Sequence, residues 1–205
     1  TTVASLGLLV LLTGIGGPYV IAGAVLYLVA HSFFKGGLFM AAGAVDHETG
    51  TRDITLLGGL WRKMPMTFAA VVLSVLSMAG LPVLVGFVAK EIMYEGLWHH
   101  GGIDAALVTT VVGNAFMFAI AGILVAAPFL GRLRDTPKTP HEGPPSLWLG
   151  PIVLGVAGLA SALLVEPFSH FFVVPMASAI AGEALTPSIH LLPSGLKPAL
   201  VLTLI

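Results

Sequence analysis

Long apolar stretches run along this chain, separated by short clusters of glycine, proline and charge. A membrane-spanning helix needs about 20 apolar residues at a rise of about 1.5 Å each. Val3–Ile15 is the first stretch, shorter than a full span and closed by Gly16, Gly17 and Pro18. Tyr19–Val45 predicts a second helix, with His31 and Lys35 as its basic groups. After the polar stretch Asp46–Lys63, a third apolar run starts at Pro65, a good first-turn residue, and reaches Trp98. That run is too long for one straight span, and Gly80-Leu81-Pro82 interrupts it. Proline removes a backbone donor and clashes with the preceding turn. The pattern therefore predicts two half-helices joined by non-helical backbone around Ala79–Val85. His99–Gly102 predicts a short turn and Ala105–Leu130 a fourth helix. Gly131–Ser146, rich in proline and charge, reads as a loop, and Leu147–Val165 as a fifth helix. Glu166–Leu196 carries Pro167, Pro175, Pro187 and Pro193 and reads as a partial or interfacial helix followed by a loop, with Glu166 a helix-end charge. Pro198–Ile205 begins another span. Because the chain starts and stops in apolar sequence, it reads as an internal segment of a longer membrane protein.

Lysine and arginine set the expected orientation, since cytoplasmic loops carry an excess of both. Asp46–Lys63 holds Arg52, Arg62 and Lys63; Gly131–Ser146 holds Arg132, Arg134 and Lys138; the turn between them holds none. One broken and one intact helix separate the two basic loops. Both are therefore expected on one side, the cytoplasmic face of the cell (inner, plasma) membrane.

Composition agrees with lipid as the solvent. Hydrophobic residues make up 57% and charged residues 9%, against about 25% charged in soluble domains. The fold class expected is all-α: a polytopic transmembrane bundle with one discontinuous helix. A net charge of −1 gives no electrostatic basis for nucleic-acid binding. Cysteine is absent, which excludes disulfides and thiolate metal sites within this segment. The sequence carries no phosphate loop, dinucleotide fingerprint or nucleophile motif, so no catalytic residue and no cofactor are assigned. His99 and His100 lack a third ligand nearby and are not read as a metal site. His47, His141, His170 and His190 read as loop or interface residues, and Asn114 as a polar helix-packing residue.

The candidate chemistry lies in a few ionisable groups at membrane depth. Lys90 follows Gly86-Phe87-Val88-Ala89 in an otherwise apolar run. A lysine at mid-helix costs about 2.5–3.5 kcal/mol by insertion scales, so its presence points to function. The plainer alternative is a side chain that snorkels to the interface. Buried lysines are the ones that exchange protons near neutral pH. Glu91 adjoins Lys90 but lies ~100° around the helix; it can tune Lys90, face a partner or sit at the interface. His31 and Lys35, spaced i and i+4, share a helix face, and their protonation is coupled. A histidine buried in a helix contact is the plainer reading for His31. Lys35 lies ~6 Å from His31 toward the cytoplasm, and Lys90 ~12 Å past Pro82 toward the outside. The order Lys35, His31, Lys90 is what a water-bridged proton relay needs. Gly36 and Gly37 read as close-packing positions. The break at Gly80 and Pro82 is tolerated at membrane depth only where protein or water satisfies the freed backbone, and such breaks mark ion sites in transporters.

Three stretches carry a family resemblance: His31-Ser32-Phe33-Phe34-Lys35-Gly36-Gly37-Leu38-Phe39, Ser77-Met78-Ala79-Gly80-Leu81-Pro82, and Gly86-Phe87-Val88-Ala89-Lys90-Glu91. They resemble the antiporter-like membrane subunits shared by respiratory complex I and the multi-subunit Mrp-type Na⁺/H⁺ antiporters. Asp46–Ile54 and Leu57-Gly58-Gly59-Leu60 resemble the A-type subunits of the Mrp antiporters most closely. Thr139–Pro145 and Lys197-Pro198-Ala199-Leu200 look like that branch more loosely.

The resemblance implies a proton-conducting unit built of inverted repeats, each with one broken helix. Residues 1–130 would be most of the second repeat; residues 131–205 would be a loop and following helices. It also implies that Lys90 ends a central hydrophilic axis containing His31 and Lys35. Related complex I subunits often have a second histidine one turn before His31; Tyr27 stands there, with a hydroxyl and no proton acceptor at neutral pH. The function implied is that of one subunit in a monovalent cation/proton antiporter, not an enzyme, with protons and Na⁺ as cargo and other antiporter subunits as partners. The alternatives are a proton-pumping subunit of an NADH–quinone oxidoreductase or related hydrogenase, and a purely structural membrane scaffold.

Overall fold

The computed structural model describes residues 1–187 and 189–191. The described residues form an all-helical membrane bundle: α1 (Thr2–Ile15), α2 (Pro18–Thr49), α3 (Pro65–Ala79), α4 (Val85–Gly101), α5 (Ala105–Phe129), α6 (Pro145–Leu163) and α7 (Val165–Ala181). A 3-10 turn at Leu60–Arg62 precedes α3, and a π-helical turn at Ser169–Val173 lies within α7. By length and composition, α2, α5 and α6 can each cross a membrane. The half-helices α3 and α4 share the third apolar run. The span expected from Pro198 lies outside the described residues.

Helix α2 is the centre of the bundle, and glycines bring its neighbours onto it. A Cβ at Gly23 would lie 2.9 Å from the Met93 backbone of α4, and one at Gly96 would lie 2.8 Å from Val20 N. A Cβ at Gly37 would meet Ser74 of α3, and one at Gly36 would meet Leu154 of α6. This is the small-residue packing that membrane helices use where no hydrophobic force draws them together. The outer faces are apolar instead of polar: Val112, Phe116 and Ile123 of α5 and Leu149, Val153 and Val156 of α6 are exposed. Lipid or another apolar surface must cover them.

Element ends follow their sequence signals with two corrections. Gly16 and Gly17, both at positive φ, make the α1–α2 turn, and Pro18 opens α2 where its missing donor costs nothing. Helix α2 does not stop at Val45. It continues through Asp46, His47 and Glu48 to Thr49 and ends on Gly50 in the left-handed region. Polarity marks where a helix leaves the apolar layer, which need not be where its hydrogen bonds end. Likewise His99–Gly101 are the last turn of α4, and the reversal falls on Gly102, with Asp104 capping α5 through Leu107 N (2.8 Å).

The two basic loops are knitted together on one face. Gly59 N donates to Leu130 O (2.9 Å), Arg134 Nη1 to Thr55 O (2.6 Å) and Lys138 N to Thr49 O (3.0 Å). The Glu142 carboxylate accepts from Met66 N (2.6 Å) and the Thr67 hydroxyl (2.6 Å), capping α3 from a distant loop. An anion at a helix N-terminus satisfies donors that the helix itself cannot. Beside it, buried Glu48 pairs with exposed His47 (2.8 Å) and His141 (3.0 Å). On the Asp46–Lys63 loop, hydrogen bonds from Thr55 hold the Asp53 carboxyl below the usual carboxylate range.

Candidate functional site

The break between α3 and α4 is built by local backbone chemistry. Gly80 adopts φ 83, in the left-handed region. Its N–H donates to Ser77 O (3.1 Å), and Leu81 N donates to Leu76 O (3.0 Å). These two bonds are a Schellman cap, the usual way for glycine to end a helix. Pro82, two residues beyond, prevents resumption of the helix. Val83 then takes φ 73, a costly conformation for a β-branched residue, and Leu84 is the extended residue before α4. Proline thus secures the break, and glycine makes it.

The break frees the carbonyl of Ala79, and Lys90 Nζ donates to it at 3.0 Å. Lys90 is 4% exposed, so it does not snorkel to solvent within this bundle. Its reach follows from helix geometry, because side chains tilt toward the N-terminus of their own helix. A Cβ at Gly80 would lie 2.9 Å from Lys90 Cδ and 3.1 Å from its Nζ. The lysine head therefore sits in the break, not ~12 Å beyond it as uninterrupted helical rise would imply. Residues 80–84 are not helical, and the side chain returns over them. The C-terminal end of α3 faces that amine, and the partial negative charge of a helix C-terminus favours a cation there.

On α2, Tyr27, His31 and Lys35 form one stripe at i, i+4 and i+8. All three are buried. Lys35 Nζ donates to the Thr1 hydroxyl. The His31 ring packs edge-on against Phe34 at 5.4 Å and lies 6.2 Å from the Tyr27 ring. The Tyr27 hydroxyl pairs with Ser5 Oγ of α1 at 3.1 Å. Glu91 is buried on α4 next to Lys90. Tyr94, one turn after Lys90, is a residue that the sequence pattern did not single out. Its hydroxyl accepts from Asn114 Nδ2 at 2.7 Å. Asn114 does pack helices, as expected, and does so through this bond. A cavity of about 240 Å³ lies along α1, α2 and α5, lined in part by Ser5, Tyr27, Thr110 and Asn114. The i+4 spacing of Tyr94 from Lys90 is visible in the sequence; nothing there could pair it with Asn114.

The arrangement separates two basic centres. Lys90 occupies the break, and the His31–Lys35 pair lies on the α2 stripe, with buried hydroxyls and an amide nearby. No metal-binding cluster of His, Cys, Asp and Glu exists among the described residues.

The sequence model of the NADH:quinone oxidoreductase/Mrp antiporter transmembrane family matches residues 1–123. The chain belongs to this family. Among curated members, a probable K⁺/H⁺ antiporter A/B subunit of Rhizobium meliloti is 40% identical, over 83% of this chain and 18% of that protein. The A1 subunit of the Na⁺/H⁺ antiporter of Staphylococcus haemolyticus is 35% identical, over 100% of this chain and 28% of that protein. The fold matches one polypeptide of the Mrp complex from a Dietzia species with a TM-score of 0.81 and 33% identity, covering 98% of this chain and 22% of that one. A polypeptide of the membrane-bound sulfane sulfur reductase, an archaeal respiratory membrane complex, is matched as well, with a TM-score of 0.65 and 27% identity over 70% of this chain and 24% of that one. The chain therefore spans less than a third of each of these relatives.

Proposed function

We propose that this chain is the second-repeat segment (residues 1–130), with the helices that follow it, of one subunit in a multi-subunit monovalent cation/proton antiporter, and that Lys90, His31 and Lys35 carry protons through it. The single observation that supports this most is the buried Lys90 amine held on the freed Ala79 carbonyl at the helix break. A cation at such a position is costly, so its presence points to function. Tyr27 and Glu91 tune the path, and Gly80 and Pro82 shape its break. The relatives' names supply the cargo, protons with Na⁺ or K⁺, and the partners, other antiporter subunits.

The test uses the full-length subunit with its partner subunits in everted membrane vesicles. Adding Na⁺ or K⁺ is expected to dissipate a preformed ΔpH without NADH oxidation. Proton pumping that needs NADH and ignores both cations would instead assign the chain to a respiratory oxidoreductase. Within the antiporter reading, His31→Ala and Lys35→Ala each lower the exchange rate by no more than roughly a hundredfold, the low end of what a positioned acid–base group contributes, because water can partly bridge a shortened relay. Wild-type rates in both variants would remove the α2 stripe from the path.

We also place the two basic loops on the cytoplasmic side, on their arginine and lysine content. Single cysteines at exposed Arg52 and Arg132 are expected to resist an impermeant thiol reagent applied to intact cells and to react in everted vesicles. Labelling from outside would reverse the orientation.

A further inference from the structure

The proposed path assigns no role to the two serines of α3, yet they are unlike the back-bonded hydroxyls elsewhere in this bundle. Thr13, Ser32, Thr49, Thr110 and Ser161 each donate to the carbonyl four residues earlier. That back-bond is how a helix ordinarily satisfies such a group. Ser74 and Ser77 do not make it. They are 1% and 5% exposed, and their hydroxyls have no hydrogen-bond partner among the described residues. His31 Nε2 is in the same position. Buried hydroxyls are almost always paired, with protein or with water.

Both hydroxyls turn into slots that glycine opens. A Cβ at Gly37 of α2 would lie 2.5 Å from Ser74 Oγ. A Cβ at Gly86 of α4 would lie 3.1 Å from Ser77 Oγ. Gly86 is one turn before Lys90, and Ser77 is two residues before the Ala79 carbonyl that holds the Lys90 amine. The serines lie three residues apart on α3, ~4.5 Å along the axis. On α3 they mark a short polar seam between the break, where Ala79 O holds the Lys90 amine, and the end of the helix that meets the basic loops. The seam ends at Ser74: Ala70 and Val71, both buried, separate Ser74 from Thr67, whose hydroxyl is committed to Glu142.

We propose that Ser74 and Ser77 are positioning residues that hold water against Lys90 in the α3–α4 break, giving its amine a proton donor and acceptor on the α3 side. This rests on the proton-carrying role of Lys90. The back-bond is left unmade so that each hydroxyl stays free to accept from and donate to water. The seam stops short of the loops, so it is a hydration pocket at the lysine and not a continuous channel.

The test compares Ser74→Ala/Ser77→Ala with wild type, Lys90→Ala and Ser161→Ala in the full complex, by cation-driven ΔpH dissipation in H₂O and D₂O. The serine double variant is expected to assemble normally, because alanine fills the same apolar surroundings with less polarity. Its exchange rate should fall by roughly tenfold with the apparent cation affinity unchanged and a larger solvent isotope effect. Ser77→Thr, which keeps a hydroxyl, should recover part of the rate. Ser161→Ala, whose hydroxyl is back-bonded, should match wild type. A dry, structural role predicts the opposite: normal exchange and isotope effect, or loss of the complex from the membrane, and either result overturns the proposal. If Lys90→Ala abolishes exchange while the serine double variant is normal, only the serine inference fails. If Lys90→Ala itself is normal, the proton path through Lys90 fails with it.

Discussion

Lys90→Ala in the assembled complex is expected to cut cation/proton exchange below roughly a hundredth of the wild-type rate while leaving the amount of complex in the membrane unchanged. The substitution removes the ionisable side chain that donates to the Ala79 carbonyl. Assembly should survive because burying a lysine costs folding energy, about 2.5–3.5 kcal/mol by insertion scales, and its removal relieves that cost. Ala79 O loses a donor, which partly offsets the gain at about 1–3 kcal/mol. Two further variants separate a proton carrier from a structural cap. Lys90→Arg keeps a cation and several donors, but guanidinium does not release its proton under these conditions. Lys90→Gln keeps a neutral donor on a shorter stem. If Lys90 serves to cap α3, both restore exchange. If it titrates, neither does. The rates are read as ΔpH dissipation in everted vesicles, normalised to complex content, and wild-type exchange in Lys90→Ala would end the proposed path.

The helix break illustrates what a sequence can and cannot convey. Its location was legible because Gly80 and Pro82 sit in a run too long for one straight span. Its division of labour was not, since either residue alone predicts an interruption. Only the bonds from Gly80 and Leu81 to the preceding turn show that glycine caps α3 and proline holds the gap open. The same limit applies to Lys90. Its burial was legible from the apolar neighbours, but counting helical rise from Pro82 placed its charge too far along. Rise is a property of helix, and residues 80–84 are not helix.

Other features depend on pairings across the chain that local pattern does not encode. Glu142 caps α3 from a loop 75 residues further on, where the sequence offers Asp135 and Glu142 among prolines and nothing that singles out either. Tyr94 and Asn114 read as an aromatic and a polar residue on separate helices until their hydrogen bond is seen. A serine in an apolar helix is normally satisfied by its own backbone, so nothing distinguishes Ser74 and Ser77 from Ser161 before their surroundings are known. The His31–Lys35 pair was legible because both residues lie on one helix, where spacing alone sets the face. The basic loops were legible as a pair because charge and span count agree, and their interlocking hydrogen bonds place them together.

Gly86→Ala should be among the most damaging single-methyl changes in this segment. A Cβ there would run into the Ser77 carbonyl oxygen and lie 2.8 Å from its carbonyl carbon. Both atoms belong to the backbone of the last turn of α3, which the Gly80 cap holds in place. Neither can move aside as a side-chain tip would. Overpacking of this kind typically costs about 1–3 kcal/mol, occasionally more, and here it pushes apart the two half-helices that define the break. The expected result is a marked drop in intact complex recovered from the membrane, a lower melting temperature for what remains, and weaker exchange per complex because Lys90 is drawn away from Ala79. Gly113→Ala on α5 is the matched control. A Cβ there would have nothing within 4 Å, and replacing glycine in a helix interior by alanine is favourable by about 0.5–1 kcal/mol. Gly113→Ala should therefore assemble and melt like wild type or slightly better. Equal recovery and equal melting for Gly86→Ala would show that α3 and α4 do not approach this closely, and would remove the close contact on which both the lysine cradle and the serine seam depend.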